Sequence, residues 1–323
     1  MSQRTVSRVI NREARVSQKT REKINRIISS TGYQVNLVAR SLRKKRTGIL
    51  IVFLEKNTTN YMGSFTNVFI NNLNDMANDF GYKLIVSKSS AYQVEENKHD
   101  GFYLLKHGLA DGAFIFDTRE VDMRIDYLVN SNIPFVIIGR DNIYDSTSFV
   151  NLDNFKVGYI GAEHLIKRGR KSIVFLLGDK NFTVSQDRAK GFLQAIKEYN
   201  IIYELVKIEY GIRSPQMAYQ RMKNIMDQKI PDAVFVSGDE RALGVYHEIQ
   251  ERKLRIPQDI AVLGIDNILI SEYYYPALST IDHSIYQMSE WAMKILDIQL
   301  RDLTNQPCRR KIFQPKLIIR DST

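Results

Sequence analysis

Beyond Thr47 the apolar residues of this chain fall into short continuous runs separated by amphipathic stretches. Ile49 to Leu54, Lys83 to Ser87, Ala113 to Phe116, Phe135 to Ile138, Ile173 to Leu177, Ala233 to Val236 and Ile260 to Gly264 read as strands. The stretches between them have helical periodicity and the length a crossover needs. Strands that are apolar throughout belong to parallel sheets covered on both faces, so the pattern predicts an α/β fold. Ser214 followed by Pro215 predicts a capped helix start, and Leu243, Tyr246 and Ile249 mark one side of the helix after Asp239. The alternation runs twice, before and after about Asn151, which implies two similar lobes with a cleft between them. Sheets of this kind take ligands at the carboxyl ends of their strands.

The segment before Gly48 follows a different pattern. In Arg4-Thr-Val-Ser-Arg-Val-Ile-Asn11, Val6, Val9 and Ile10 fall on one helical face, and Arg4, Ser7, Arg8 and Asn11 on the other. Ser17 then caps a second helix through Ser30. Val16 precedes the cap, Ile24, Ile27 and Ile28 form the expected buried stripe, and Gly32 is the stop. Two short helices bury little, so a third is expected before Arg4. Asn36 to Arg46 reads as one more short helix, with Leu37, Val38 and Leu42 apolar. It is marginal alone and expected to fold only when something docks against it.

Charge separates along the same boundary. Residues 1–47 carry 13 Lys or Arg against Glu13 and Glu22, a net of +11, leaving 33 basic and 34 acidic residues of the 46 and 36 in the whole chain. A charge concentrated in this way points to a polyanionic partner, whereas solubilising charge is spread out. For Arg4 and Arg8 taken singly, a solvated helix face remains the alternative. The longest apolar run, Ile49 to Leu54, is too short to span a bilayer. No leader pattern opens the chain, and Cys308 stands alone, so a reducing cytoplasm is expected.

Enzymatic motifs are missing from the sequence. It has no G-x-G-x-x-G after the first strand, no phosphate-binding lysine loop and no nucleophile elbow. His99, His107, His164, His247 and His283 show no paired metal spacing. Neither a catalytic group, a metal nor a cofactor is expected.

Several segments in order resemble bacterial transcription repressors of the lactose-repressor/galactose-repressor (LacI/GalR) family. They are Thr5-Val-Ser-Arg-Val-Ile-Asn11, Val16-Ser-Gln-Lys-Thr-Arg-Glu-Lys-Ile24, Gly32-Tyr33, Asn36-Leu-Val-Ala-Arg-Ser-Leu42, Val262-Leu-Gly-Ile-Asp-Asn267 and Ile319-Arg-Asp-Ser-Thr323. The resemblance implies a helix-turn-helix fragment over 1–34, a hinge helix over 35–47, and over 48–323 a two-lobed domain like that of periplasmic sugar-binding proteins. It also implies that the chain lacks the family's first helix and begins inside the following turn, with the true start lying upstream. The function implied is a homodimeric repressor in the nucleoid-associated cytoplasm, binding double-stranded operator DNA under control of a sugar-like effector. The alternatives are a sensor that has lost DNA binding and a solute-binding protein.

By that resemblance Gln3, Arg4 and Arg8 fall where base edges are read in the major groove. Ser7, Ser17, Thr20, Tyr33 and Asn36 fall where the phosphate backbone is held. Leu42 matches a leucine that wedges into the minor groove, and Ala39 is small where two hinge helices meet. In the cleft, Arg188 and Asp266 match the polar anchors of the effector, with Asp239 and His283 beside them. Phe65 and Phe182 are placed to stack on a ring, or else simply pack in the core. Gly238 and the Gly63 to Thr66 segment depart from the family pattern, which leaves effector identity open.

Overall fold

The protein is described by a computed structural model covering residues 3–10, 16–31, 46–56, 61–94, 100–200, 203–302 and 308–323. The chain divides into two compact units, Met1–Thr47 and Gly48–Thr323.

In the first unit, helix α1 (Gln3–Ile10) and helix α2 (Gln18–Thr31) follow the apolar periodicity, and Val9 and Ile24 are buried. The hydroxyl of Ser17 accepts from the Thr20 backbone N–H at 3.4 Å and shares a 2.9 Å hydrogen bond with the Thr20 hydroxyl, capping α2. The expected stripe on α2 is narrower than its sequence suggests. Ile28 is half-buried and Ile27 is 48% exposed, so Ile24 alone of the three faces inward fully. The Gly32 stop and the Asn36–Arg46 helix lie outside the described residues.

The second unit runs through β1 (Ile49–Glu55), α3 (Ser64–Phe80), β2 (Lys83–Ser89), α4 (Gly101–Lys106), β3 (Gly112–Ile115), α5 (Met123–Asn130), β4 (Phe135–Ile138) and β5 (Ser148–Leu152). It continues with α6 (Asn154–Lys167), β6 (Ser172–Leu176), α7 (Thr183–Tyr199), β7 (Leu205–Glu209), α8 (Pro215–Met226), β8 (Ala233–Val236), α9 (Ala242–Glu251) and β9 (Ala261–Leu263). The last elements are β10 (Thr280–Asp282), α10 (Ile285–Arg301), β11 (Arg310–Phe313) and β12 (Lys316–Ile318). One sheet has the order β11-β5-β4-β3-β1-β2 and the other β7-β6-β8-β9, and both are parallel throughout. Helices cover both faces, which is why β3, β4 and β8 are apolar at every position and β1 and β6 at all but one.

The two-lobe reading holds, but the division near Asn151 is incomplete. After β10 the chain returns to the first lobe, where Ala292, Leu296 and Leu300 of α10 are buried against the sheet and β11 adds an edge strand beside β5. It then crosses again, and β12 pairs antiparallel with β10. The backbone therefore passes between lobes three times, at Leu152–Asn154, Asp282–Ile285 and Phe313–Lys316. On α9, Tyr246 and Ile249 are buried as expected, whereas Leu243 in the first turn is 43% exposed. Ser214 caps α8 by accepting from the Met217 N–H, and Pro215 occupies the first turn.

Helices α6 and α7 meet backbone to backbone. A Cβ on Gly158 would lie 1.9 Å from the Arg188 carbonyl oxygen, and one on Gly191 would lie 1.8 Å from that of Phe155. Gly191→Ala must push the helices apart. It is expected to cost about 3 kcal/mol or more in urea denaturation, whereas Gly169→Ala, with open space around it, should show only the backbone strain of its positive φ.

Candidate functional site

A cavity of about 410 Å³ lies between the two lobes. Its polar lining comes from the carboxyl ends of strands in both sheets. Glu55 ends β1, Asp117 follows β3, Asn151 lies at the end of β5, Asp179 follows β6, Ser237 follows β8 and Asp266 follows β9. Phe65, Phe116, Ile138, Leu152 and Met288 supply an apolar wall.

Arg188, in the second turn of α7, is the most constrained side chain here. Its guanidinium donates to Asn154 Oδ1 at 2.9 Å and Ser237 Oγ at 2.6 Å, and meets His283 Nε2 at 2.9 Å. An arginine has only donors, so His283 Nε2 must be the acceptor and the ring is neutral, with its proton on Nδ1. That nitrogen is 3.2 Å from Asp266 Oδ1. Burial is the main cause of every shift in this cluster. It lowers Arg188 to about 10, pushes the His283 ring well below its ordinary value with help from the Arg188 charge, and raises the Asp266 carboxyl, with Glu240 and Asp239 adding to the rise. Asp266 has φ of +119°, a region ordinarily left to glycine, so the chain holds this carboxylate in place against backbone strain.

Phe65 lines the cavity and meets the His283 ring edge-on at 5.1 Å. Phe182 also lines it, but its ring lies under the Arg119 guanidinium at 5.0 Å, and the Tyr92 ring is 4.7 Å from the same guanidinium. Asp239 departs from expectation. It is fully buried beneath the site and does not line the cavity, because its carboxylate accepts from the Thr280 hydroxyl at 2.7 Å and the Ile268 N–H at 3.1 Å. Burial raises it to about 7 despite those donors.

Sequence reasoning missed Glu55, Asp117, Asp179, Asn154, Ser237, Glu240, Arg213 and Arg241, all of which line the cavity. For Glu55, Asp117, Asp179 and Ser237 a signal was present, since each stands just where an apolar strand run ends.

The cleft is also pinned at one edge. Arg140 on the first lobe forms a two-pronged ion pair with Asp187 on the second, at 2.5 and 2.8 Å. Arg119 lies 3.5 Å from Glu55 and 3.6 Å from Asp179, and the Thr183 N–H donates to the Thr118 carbonyl. Of the expected DNA contacts, Arg8 is half-buried on α1, while Ser17 and Thr20 lie at the start of α2. The side chains of Gln3, Arg4 and Ser7, and all of Tyr33, Asn36, Ala39 and Leu42, lie outside the described residues. Among the described residues no group of His, Cys, Asp and Glu is arranged to hold a metal ion, and no helix is long and apolar enough to cross a membrane.

Residues 1–36 match the family model described as bacterial regulatory proteins, lacI family, and residues 162–323 match the periplasmic binding protein-like domain. The HTH-type transcriptional repressor PurR of Actinobacillus pleuropneumoniae serotype 3 is 28% identical over 324 residues, which are 100% of this chain and 95% of that protein. The lac repressor dimer bound to operator and the anti-inducer ONPF superposes with a TM-score of 0.81 at 24% identity, covering 100% of this chain and 96% of that one. The complex of the transcriptional regulator CelR with cellobiose gives a TM-score of 0.74 at 22% identity over 100% and 96% of the two chains.

Two outcomes follow from the geometry. Arg140→Ala should lower the melting temperature by about 2–4 °C and increase the radius of gyration in small-angle scattering as the lobes part; unchanged scattering would remove the pair from any role in closure. The second concerns pH. The His283 pKa is depressed in the folded state, so its stabilising contribution is complete above the ordinary value of 6.5 and is lost as pH falls below it. Between about pH 7.5 and about pH 5.5, wild type should therefore lose more stability on acidification than His283→Gln. Parallel curves would show that the ring is not held neutral.

Proposed function

Because the chain belongs to the lacI family of bacterial regulatory proteins and carries that family's periplasmic binding protein-like domain, we propose that it is a sequence-specific transcriptional repressor. In this reading an effector of the sugar class, held in the interlobe cleft, controls operator binding. The observation that supports it best is the occurrence, in one chain, of a regulator's DNA-binding motif within a +11 segment and an enclosed cleft lined by Arg188 and Asp266. Residues 1–34 contact DNA, 35–47 form the hinge and 48–323 sense the effector and dimerise. Gln3, Arg4 and Arg8 read bases, while Ser7, Ser17, Thr20, Tyr33 and Asn36 hold phosphates.

A homodimer follows from the need for two recognition helices one DNA turn apart. A surface suited to a second copy lies on the second lobe, where Leu269, Tyr273 and Tyr275 are exposed at 75%, 76% and 90%. Closure of the cleft changes the separation of the two hinges, which folds or melts the segment carrying Ala39 and Leu42. In this reading the protein acts in the cytoplasm as a binding switch. Its specificity for DNA comes from the Leu42 wedge at the operator centre as well as from base contacts.

The test is binding to a duplex of the protein's own promoter and to a scrambled duplex over a range of salt concentrations. The promoter should bind with a steep salt slope, and Leu42→Ala should weaken promoter binding far more than scrambled binding. Equal losses on both duplexes would contradict the wedge. If the promoter is not preferred at any salt concentration, the repressor assignment itself fails.

A further inference from the structure

Two neighbouring carboxylates after β8 have opposite fates. Asp239 is fully satisfied beneath the site, whereas Glu240 turns into the cavity with its side chain 7% exposed. Among the described residues Glu240 Oε2 has no hydrogen-bond partner, and Oε1 is 3.5 Å from Arg241 Nε, well beyond the roughly 2.8 Å of a charge-assisted hydrogen bond. A buried carboxylate with unused acceptor capacity costs stability, and such groups are kept where a ligand supplies the donors. Glycine at 63 leaves it room, since a Cβ there would lie 3.2 Å from Glu240 Oε1.

The remaining charges bear on what that ligand is. Glu55 faces Arg119 and Arg124, and Asp179 faces Arg213, so these charges are matched within the protein. Arg188 is different, because its three hydrogen-bond partners are all neutral and the charge of Asp266 acts on it only from beyond hydrogen-bond distance, and it presents a donor pole to the cavity that Glu240 lines as an acceptor pole. A neutral compound carrying several hydroxyls satisfies both poles, because each hydroxyl both donates and accepts. An acidic compound would set its own charge against Glu240.

We propose that Glu240 orients the effector by accepting hydrogen bonds from hydroxyls of a neutral polyhydroxylated molecule, and that it rejects acidic analogues of the same molecule. The proposal rests on the effector reading given above. Its test uses the full chain and Glu240→Gln, melted alone and then with ribose, cellobiose, ribose 5-phosphate and cellobionate, followed by calorimetric titration of whatever stabilises.

Without additions, Glu240→Gln should melt roughly 2–4 °C higher, because a buried carboxylate held only loosely, at 3.5 Å, by Arg241 has been neutralised. A neutral sugar that binds wild type should lose roughly ten- to a hundredfold in affinity for Glu240→Gln, and its acidic counterpart should bind wild type more weakly than the neutral parent. A lower melting temperature for unliganded Glu240→Gln would make the carboxylate structural and overturn the proposal. So would an acidic analogue that binds wild type as tightly as its neutral parent. If none of the four compounds shifts wild type, the polyhydroxylated class is overturned, while the unliganded comparison still decides the role of the carboxylate. Failure of the effector reading would look different, as operator binding indifferent to a compound that does bind the cleft.

Discussion

A buried guanidinium governs the geometry of this molecule. Arg188 has been taken out of water, and burial lowers it to about 10 without neutralising it, so its donors must be met by acceptors at fixed positions. Those acceptors come from three places. Asn154 stands where the chain first crosses between lobes, His283 where it crosses back, and Ser237 at the end of β8. Satisfying one side chain therefore ties two interlobe crossings to the middle of the second sheet. The glycine contact between α6 and α7 belongs to the same constraint, because Gly158 lies against the Arg188 backbone itself and sets how deeply the arginine enters. His283 can accept from Arg188 only as a neutral ring, which leaves its proton on the other nitrogen, 3.2 Å from Asp266 Oδ1.

Around that fixed centre the lobes are joined by interactions of another kind. Arg140–Asp187 lies toward one edge and is partly accessible to solvent, so it is worth less than a buried pair and responds to salt, while Arg119 and Glu55 beside it are buried. The hydrogen-bonded centre and the ion pair at the edge are the connections on which any opening or closing of the cleft depends. A ligand can shift such an equilibrium only by the difference in its affinity for the open and closed forms. A cavity with polar groups from both lobes supplies that difference, because a ligand bridging Phe65 or Asn151 on one side and Arg188 or Asp266 on the other makes all its contacts only when the cleft is closed.

Most strands enclosed on both faces were legible in the sequence because nothing polar interrupts them, whereas β5, interrupted by Asn151, was not. β4 and β8 occur at the positions that their apolar runs indicate. Of the edge strands, β2 and β9 were legible and β7 and β11 were not. β7 and β11 carry Lys207, Glu209, Arg310 and Lys311 on half-solvated faces, and such alternation does not separate a strand from a loop. The return of α10 and β11 to the first lobe is a long-range pairing with no local signature. Helix stripes were read too broadly at Ile27 and Leu243, which sit where the neighbouring structure ends and water begins. In the site, Arg188, Asp266 and His283 were reachable through resemblance, and Glu55, Asp117 and Asp179 through strand ends. Glu240 was reachable by neither route, since its significance lies in a partner it lacks.

The treatment of Asp239 shows how a motif can be misread as a site and still be explained. Its carboxylate occupies the place where a Cβ on Gly264 would sit, since the two would be separated by only 2.1 Å. The glycine of Val262-Leu-Gly-Ile-Asp266 is thus a consequence of Asp239, and Asp239 in turn braces the segment that ends in Asp266 through Ile268 and Thr280. An aspartate beside a binding cleft has been given a structural task, and the strained backbone of Asp266 is what that bracing supports. The residue that lines the cavity and the residue that braces it follow different strands. Sequence spacing alone cannot separate the two roles, whereas hydrogen-bond satisfaction can, because a bracing carboxylate is already filled from within and a recognising one is left with capacity to spare.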